Sequence, residues 1–337
     1  MKTVLLASVV VILIGGVFWY MFQYRGNTSE TSVTDGHLHS IYLVNPGGPA
    51  YKQYFDKVES SLRELHHKNG TSLQMYTKNA EGNPQKLATM VTEAVQAKPN
   101  LIITISSQPT QQALAESNGE IPILSTLGDP IEHGYVDSLK GSGKNLGGVA
   151  QQNIALTPKR LELLKELAPS VKKVAVFYDT TCGPTKKARP IANAFAPEIG
   201  LELFEIALTN PTRAELEDAL NTVTRENYDA LIFYPHGTLF SKADLFLKRA
   251  REEGLVIIMP NEEALAEGAL ASYGPSYAGM GELIARLSEK ILTDNISVSV
   301  LPWEQPSVID YFVSLENAEK LGLTIDPAMA SRATLVR

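Results

Sequence analysis

The sequence predicts an α/β protein of two doubly wound, Rossmann-like lobes joined by a multi-strand hinge, and three observations support that fold class. Short apolar runs alternate with segments of helical periodicity along most of the chain. This alternation occurs twice, as two similar sets of runs. Several runs, such as LIITI at 101–105, are apolar on both faces, which is typical of parallel strands covered by helices on both sides.

Each predicted lobe contains four apolar runs that are rich in β-forming residues. The first set is Ile41–Val44, Leu73–Tyr76, Leu101–Ile105 and Ile121–Leu124, and the second is Val174–Tyr178, Leu201–Ile206, Ala230–Tyr234 and Leu255–Met259. Between the runs, apolar residues recur at helical spacing, as at Tyr51, Phe55, Val58, Leu62 and Leu65. The pattern therefore predicts helices that connect successive parallel strands.

The last part of the chain predicts how the lobes connect. After Gly274 and Pro275 come a long helix pattern, an extended stretch LPWEQPSVIDYFV and a final helix from Leu315 to Leu321. One extra helix and one strand do not make a third domain, so we expect the chain to cross between the lobes more than once. The predicted division assigns residues 38–150 plus 275–296 to lobe 1 and residues 151–274 plus 297–337 to lobe 2.

Residues 1–25 predict an N-terminal transmembrane helix that anchors the protein. The 20 residues from Thr3 to Phe22 carry no charge, and a helix of that length covers about 30 Å, the hydrocarbon thickness of a bilayer. A cleaved signal peptide is the alternative, but its apolar core usually spans about 7 to 15 residues and ends at a small-residue site. Here the run ends in aromatic residues that include Trp19 and Tyr20, which favours the anchor. Residues 26–37 are polar and predict a flexible tether.

Composition excludes several classes of function. The chain has 30 basic and 37 acidic residues, for a net charge of −7, so it lacks the basic field that attracts nucleic acid, and no nucleic-acid partner is expected. The single cysteine, Cys182, cannot form an intramolecular disulfide or a cysteine-based zinc site. The hydrophobic fraction of 44% is typical of a globular body with a sizeable core.

Motifs for catalysis or for cofactor binding are missing from the sequence. The segment from Gly141 to Lys144 resembles a phosphate loop, but Asn145 stands where such loops have Ser or Thr. The histidine pairs His37/His39 and His66/His67 are interpreted as solvated surface residues. We therefore expect no enzyme activity, no cofactor and no metal.

Small polar residues follow the predicted strands, at the edge where open α/β folds bind ligands. Ser106, Ser107 and Thr110 follow the strand that ends at Ile105. Hydroxyls and free N–H groups at a helix start favour an anion such as a carboxylate, although a plain N-cap explains the same residues. Asp129 follows the next strand and either faces a ligand ammonium or caps the turn.

Equivalent positions in the second lobe complete the set of candidates. Asp179 and His236 follow two of its strands, and Asn261 follows the run LVIIMP. Tyr273 either stacks on a ligand or packs in the core, which is the commoner place for such a residue. The candidate ligand-binding residues are Asn45, Ser106, Ser107, Thr110, Asp129, Asp179, His236, Asn261 and Tyr273.

Four stretches within residues 128–333 resemble the periplasmic substrate-binding proteins of ABC transporters, in the group described for aromatic amino acids or for unknown ligands. They are GDPIEHGYVDSLKGSGKNLGGVA, LTPKRLELLKELAPSVKKVAVFYD, EEALAEGALASYGPSYAGMGELIARLSEKIL and LPWEQPSVIDYFVSLENAEKLGLTI. The resemblance implies a type I periplasmic-binding fold whose two lobes close over a small molecule. It places cleft contacts on Ser106, Ser107, Thr110, Asp129, Asp179 and His236. Many members have Asn where this chain has Asp179, which changes the ligand charge that is tolerated.

The expected function is that of a non-catalytic, extracytoplasmic solute-binding protein of an ABC importer, with an amino acid as the candidate ligand. Its expected partners are the small-molecule ligand, the permease and ATPase subunits, and the membrane, which the N-terminal helix contacts. The expected location is the outer face of the cytoplasmic membrane, or the periplasm if the helix is cleaved. Two alternatives stay open: a ligand sensor for a partner signalling protein, and a lipid-trafficking protein, which an enlarged apolar cleft would favour.

Overall fold

The computed structural model describes residues 38–48, 51–69, 72–141, 144–181 and 183–336. The predicted anchor (residues 1–25) and tether (residues 26–37) lie outside the described residues. Among the helices in the described part of the chain, none has both the length and the apolar character needed to span a bilayer.

The first lobe is built on a sheet of five parallel strands in the order β2-β1-β3-β4-β5. The strands are β1 (Leu38–Asn45), β2 (Ser72–Asn79), β3 (Leu101–Ile105), β4 (Ile123–Leu127) and β5 (Leu146–Ala150). Helices α1 (Lys52–Asn69) and α9 (Tyr277–Leu292) pack on one face of this sheet, and α2 (Pro84–Gln96) and α3 (Ser107–Ser117) pack on the other. Strands β3, β4 and β5 are buried along their whole length, because helices cover both faces of the sheet.

The second lobe has a parallel β7-β6-β8 sheet that continues into β9-β10-β11-β12 through a parallel bridge between Ala230 and Val256. The strands are β6 (Lys173–Asp179), β7 (Glu202–Leu208), β8 (Ala230–Phe233), β9 (Ile258–Met259), β10 (Ala271–Pro275), β11 (Ile309–Ser314) and β12 (Thr334–Val336). The pairing of β11 with β10 is antiparallel. Since β11 enters from the first lobe rather than through a helical crossover on its own sheet, its direction is not tied to that of its neighbours.

Helices also cover both faces of the second sheet. The helices are α4 (Thr157–Leu167), α5 (Gly183–Phe195), α6 (Arg213–Asn221), α7 (Gly237–Phe240), α8 (Ala243–Glu253), α10 (Leu315–Lys320) and α11 (Pro327–Ala330). Side chains of α4 and α5 join one core cluster, and those of α6, α7 and α8 join the other. The second lobe is therefore a three-layer α/β body like the first.

The chain passes between the lobes at three places. It leaves the first lobe after β5, returns between β10 and α9, and leaves again before β11. Residues 298–304 contact the first lobe, since Glu304 pairs with Val149 and the Trp303 N–H donates to the carbonyl of Leu139 at 2.8 Å. The predicted division placed these residues in lobe 2, and the reason for the difference is that Val298 and Trp303 bury their side chains in cores of the first lobe. The other predicted boundaries stay a prediction.

Two local features differ from the sequence-based expectations. The strand predicted at 121–124 begins at Ile123, because Pro122 has no N–H to donate to a neighbouring strand. His66, expected on a solvated surface, is buried at the end of α1, and its Nε2 lies 2.9 Å from a carboxylate oxygen of Glu289 on α9. The packing of α1 against α9 is what removes this histidine from solvent.

Candidate ligand-binding site

A cavity lies between the two lobes, at the carboxyl ends of β3, β4, β5 and β8. Its empty space is about 840 Å³, part of which is open to solvent. Its lining includes Ser106 and Thr126 from the first lobe, His236 and Met259 from the second, and Gln151 from the first crossing. This is the position at which doubly wound folds bind small molecules.

Ser106 ends β3 in a strained backbone conformation. Its φ is 72° and its ψ is 164°, a combination that is almost confined to glycine and costs about 1–3 kcal/mol in other residues. The Ser106 N–H donates to the carbonyl of Thr126 at 3.0 Å, and the Ser106 carbonyl accepts from the hydroxyl of Thr110 at 2.6 Å. These bonds from β4 and α3 hold Ser106 in place at the cavity wall, next to Ser107.

Thr110 lies behind the cavity wall rather than on it. It is completely buried, and its Oγ1 lies 2.8 Å from the Thr104 hydroxyl and 2.7 Å from the Ser125 hydroxyl. The predicted ligand contact is therefore, in this structure, a group that positions Ser106.

His236 lines the cavity from the second lobe, directly before α7. Burial lowers the pKa of His236 to about 4, although the nearby carboxylate of Asp179 acts in the opposite direction. His133, from the first lobe, also lines the cavity, and burial lowers its pKa as well. Both imidazoles are consequently neutral at pH 7.

Arg160 is the main lining residue that the sequence-based reasoning missed. It lies in the first turn of α4, where its Nε donates to the carbonyl of Tyr273 and its Nη2 donates to Oδ1 of Asn153, both at 2.7 Å. Burial lowers the pKa of Arg160 to about 10, so the guanidinium is charged at pH 7. Among the described residues, no carboxylate forms an ion pair with it. Gln151 and Asn153 follow β5, so polar residues after this strand would also have indicated this part of the chain.

Three aromatic side chains form one wall of the cavity. Tyr51 precedes α1, Phe240 ends α7 and Tyr277 begins α9. The ring centroids are 5.4 Å apart for Tyr51 and Phe240 and 6.0 Å apart for Phe240 and Tyr277. This aromatic wall offers buried apolar surface to a ligand side chain.

Both predicted aspartates bond to neighbouring backbone rather than face the cavity. Oδ1 of Asp129 accepts from the N–H groups of Ile131 at 3.0 Å and Glu132 at 3.1 Å, which is the turn-capping arrangement. Oδ1 of Asp179 accepts from the N–H of Thr181 at 2.8 Å, and Oδ2 accepts from the N–H of Asn210 at 3.0 Å. Burial would raise the pKa of Asp179, but hydrogen bonds from the Thr181 hydroxyl and from these N–H groups hold the pKa below its usual value.

The other predicted residues also lie outside the lining. Oδ1 of Asn45 accepts from the N–H of Gly47 at 2.8 Å, and Nδ2 of Asn261 donates to Glu263 at 2.9 Å. Tyr273 contributes its carbonyl to Arg160, while its ring packs edge-on against another tyrosine. Of the nine predicted residues, Ser106, Ser107 and His236 line the cavity. In the described part of the chain, no group of three metal-ligating side chains could hold a metal ion.

The sequence matches the family described as ABC transporter substrate binding protein over residues 43–337. The chain belongs to this family. The predicted family resemblance is thereby confirmed. A curated relative, the tyrosine-binding protein of Clostridioides difficile strain R20291, is 28% identical over 243 residues, which cover 72% of this chain and 68% of the relative.

Solved structures establish the fold class of this family member. A domain from Streptococcus pneumoniae in complex with L-tryptophan has a TM-score of 0.77 and 21% identity, over 89% of this chain and 100% of that one. A conserved domain protein from Vibrio cholerae has a TM-score of 0.75 and 23% identity, over 89% and 99% of the two chains. The two-lobed α/β body thus has the type I periplasmic-binding fold, as predicted, while the predicted transmembrane helix falls outside the described residues.

Proposed function

We propose that this protein binds an α-amino acid with an aromatic side chain outside the cytoplasmic membrane and delivers it to the permease and ATPase subunits of an ABC importer. The names of similar proteins support the ligand class, since one is a tyrosine-binding protein and another was solved with L-tryptophan. The proposed location is the outer face of the membrane, where residues 1–25 act as the anchor.

The observation that carries the proposal is the charge of Arg160 in the cleft. A guanidinium has five N–H donors, and three acceptors on Tyr273 and Asn153 occupy one each. Two donors are left over, and a half-buried cation without a counter-ion is unfavourable. A ligand carboxylate supplies the missing negative charge in a geometry that suits arginine.

The aromatic wall supports the choice of side chain. Tyr51, Phe240 and Tyr277 are each less than one-tenth exposed, and they belong to different parts of the chain. An aromatic ring of the ligand would pack on these surfaces and gain both burial and edge-to-face contacts. A single small ligand is also what a cavity of this size can hold.

Closure of the two lobes is the proposed output of binding. Lys187 of the second lobe lies 2.7 Å from the carboxylate of Glu132 in the first lobe, and Gly237 approaches Ser106 closely across the cleft. A ligand that touches both walls favours this arrangement by its differential affinity for it. The permease would then recognise the closed surface.

Isothermal titration calorimetry and thermal-shift assays of the full-length protein in mild detergent test the proposal. We expect L-tyrosine, L-tryptophan or L-phenylalanine to bind and to raise the melting temperature, because a ligand specific for the folded state stabilises it. Arg160→Gln should weaken binding by about 100-fold, as expected for loss of a buried charge-assisted pair.

Arg63→Gln is the matched control, because Arg63 lies on α1 with 65% of its side chain exposed. Arg160→Lys, which keeps the charge, separates a folding defect from a lost contact. Full affinity in Arg160→Gln would contradict the carboxylate site. A response to lipids with none to amino acids would favour the lipid-trafficking alternative.

A further inference from the structure

We infer that the cavity recognises the carboxylate and the side chain of its ligand without a charged partner for an ammonium, so that it also accepts aromatic carboxylic acids that lack the α-amino group. Aryl-propanoates and aromatic 2-oxo acids belong to this class. The inference rests on the proposed carboxylate site at Arg160 and extends the ligand class beyond amino acids.

The charge of the cavity lining is the first observation. Among the described residues that line it, none is Asp or Glu, and Arg160 carries the one permanent charge. His133 and His236 are neutral at pH 7, because burial lowers the pKa of each. The lining is therefore positive before a ligand arrives.

The carboxylates near the cavity lie outside its lining and bond to other groups. Asp129 accepts two backbone N–H groups, and Asp179 accepts from the backbone on both of its oxygens. Glu132 pairs with Lys187 at 2.7 Å. Glu263 lies in a neighbouring groove, where burial raises its pKa and Asn261 donates to it. Asp129 and Asp179 keep their negative charge, and Asp179 lies 3.8 Å from Nδ1 of His236. None of these four carboxylates lines the cavity, however, so none is placed to contact a ligand ammonium directly.

The neutral acceptors on the wall are also partly used. The hydroxyl of Thr126 donates to the hydroxyl of Tyr54 at 2.9 Å, and Oε1 of Gln151 accepts from Asn153 at 2.7 Å. The remaining lone pairs on these oxygens and the faces of the aromatic rings can still interact favourably with a ligand ammonium. They do not compensate it as a carboxylate would, since a charge in a desolvated site needs an opposite charge.

The charge balance of the lining therefore does not require an amino group on the ligand. A carboxylate alone neutralises Arg160, whereas a zwitterion brings an extra positive charge close to a positive wall. We therefore expect removal of the amino group to cost little affinity, and removal of the carboxylate to cost much.

Three matched ligands test this on the full-length protein by calorimetry at pH 7: L-phenylalanine, 3-phenylpropanoate and 2-phenylethylamine. The expected result is that 3-phenylpropanoate binds within tenfold of L-phenylalanine, while 2-phenylethylamine binds at least 100-fold more weakly. The corresponding amino acid, acid and amine with the side chain of tyrosine or of tryptophan give two further series for the same comparison. Asp129→Asn should leave the ratio between the acid and the amino acid unchanged.

The outcomes separate this inference from the proposed function. If L-phenylalanine binds and 3-phenylpropanoate binds more than tenfold worse, the inference is wrong and the proposed function stands. If Asp129→Asn weakens only the amino acid, Asp129 is an ammonium partner, which also overturns the inference. If the acid binds and no amino acid does, the inference holds and the proposed ligand class fails. If neither class binds in any series, both are wrong.

Discussion

At the scale of single residues, the cavity wall depends on a buried hydroxyl cluster that does not touch it. Thr104, Thr110 and Ser125 share hydrogen bonds beneath the end of β3, and Thr110 also donates to the carbonyl of Ser106. This bond helps to keep Ser106 in a backbone conformation that serine rarely adopts. The hydroxyl cluster beneath β3 thus helps to hold the part of the cavity wall that the first lobe contributes.

Replacement of Thr110 by valine tests this dependence. The variant keeps the shape but leaves buried partners without a hydrogen bond, so we expect the free energy of unfolding to fall by about 1–3 kcal/mol. Ligand affinity should fall about tenfold, because Ser106 is less restrained. Denaturant unfolding and calorimetry measure the two effects. Thr89→Val, at an exposed position of α2, should change neither. A less stable Thr110→Val protein with unchanged affinity would show that Ser106 needs no such support.

Local sequence patterns predicted only part of the site, and the reason differs between residues. Ser106 and His236 could be found because they follow apolar strands at the carboxyl edge of a sheet. Asp129 also follows a strand, but a short acidic side chain at a turn bonds its own backbone just as readily. Tyr51 and Phe240 could not be found, since they come from distant segments that meet only in the folded protein.

At the scale of elements, the starts of α3 and α7 approach each other across the cleft. A Cβ built on Gly237 would lie 3.1 Å from the Cβ of Ser106, which is closer than side chains normally approach. The absence of a side chain at Gly237 therefore allows the two lobes to come together here.

Larger side chains at Gly237 should hold the lobes apart. Gly237 has no positive φ, so alanine and valine are acceptable to the backbone and the expected effect is steric. We expect Gly237→Ala to bind ligand slightly more weakly and Gly237→Val at least tenfold more weakly, because the isopropyl group meets Ser106. Calorimetry gives the affinities, and small-angle X-ray scattering with ligand gives the radius of gyration, which should be larger for the valine variant. If Gly237→Val has the affinity and the radius of gyration of the wild type, Gly237 and Ser106 do not approach each other closely in the ligand-bound protein.

Periodicity predicted the elements better than their pairing. The alternation of apolar runs and helical segments located the parallel strands, because burial on both faces leaves a continuous apolar run. The antiparallel β11 and the return of Val298 and Trp303 to the first lobe were not predicted. Both depend on which distant strands become neighbours, and that information is not local.

At the scale of the whole molecule, two partly buried histidines from opposite lobes line the cleft. His133 and His236 both line the cavity, and the charge of His133 would disfavour protonation of His236. Lys242 acts in the same direction, whereas Asp179 favours the protonated ring. The packed arrangement of the lobes consequently resists the uptake of a proton.

The folded protein should therefore lose stability as the pH falls from about 6.5 to about 4. Burial lowers the pKa of His236 from 6.5 to about 4 on folding, so within this window the unfolded chain binds a proton that the folded protein does not. The free energy of unfolding should fall by about 3 kcal/mol across it and be insensitive to this group above pH 6.5. Urea unfolding of the ligand-free protein at several pH values measures this loss. His236→Gln should flatten the curve, and His67→Gln, at an exposed position, should not. Parallel curves for the wild type and His236→Gln would show that another group is responsible.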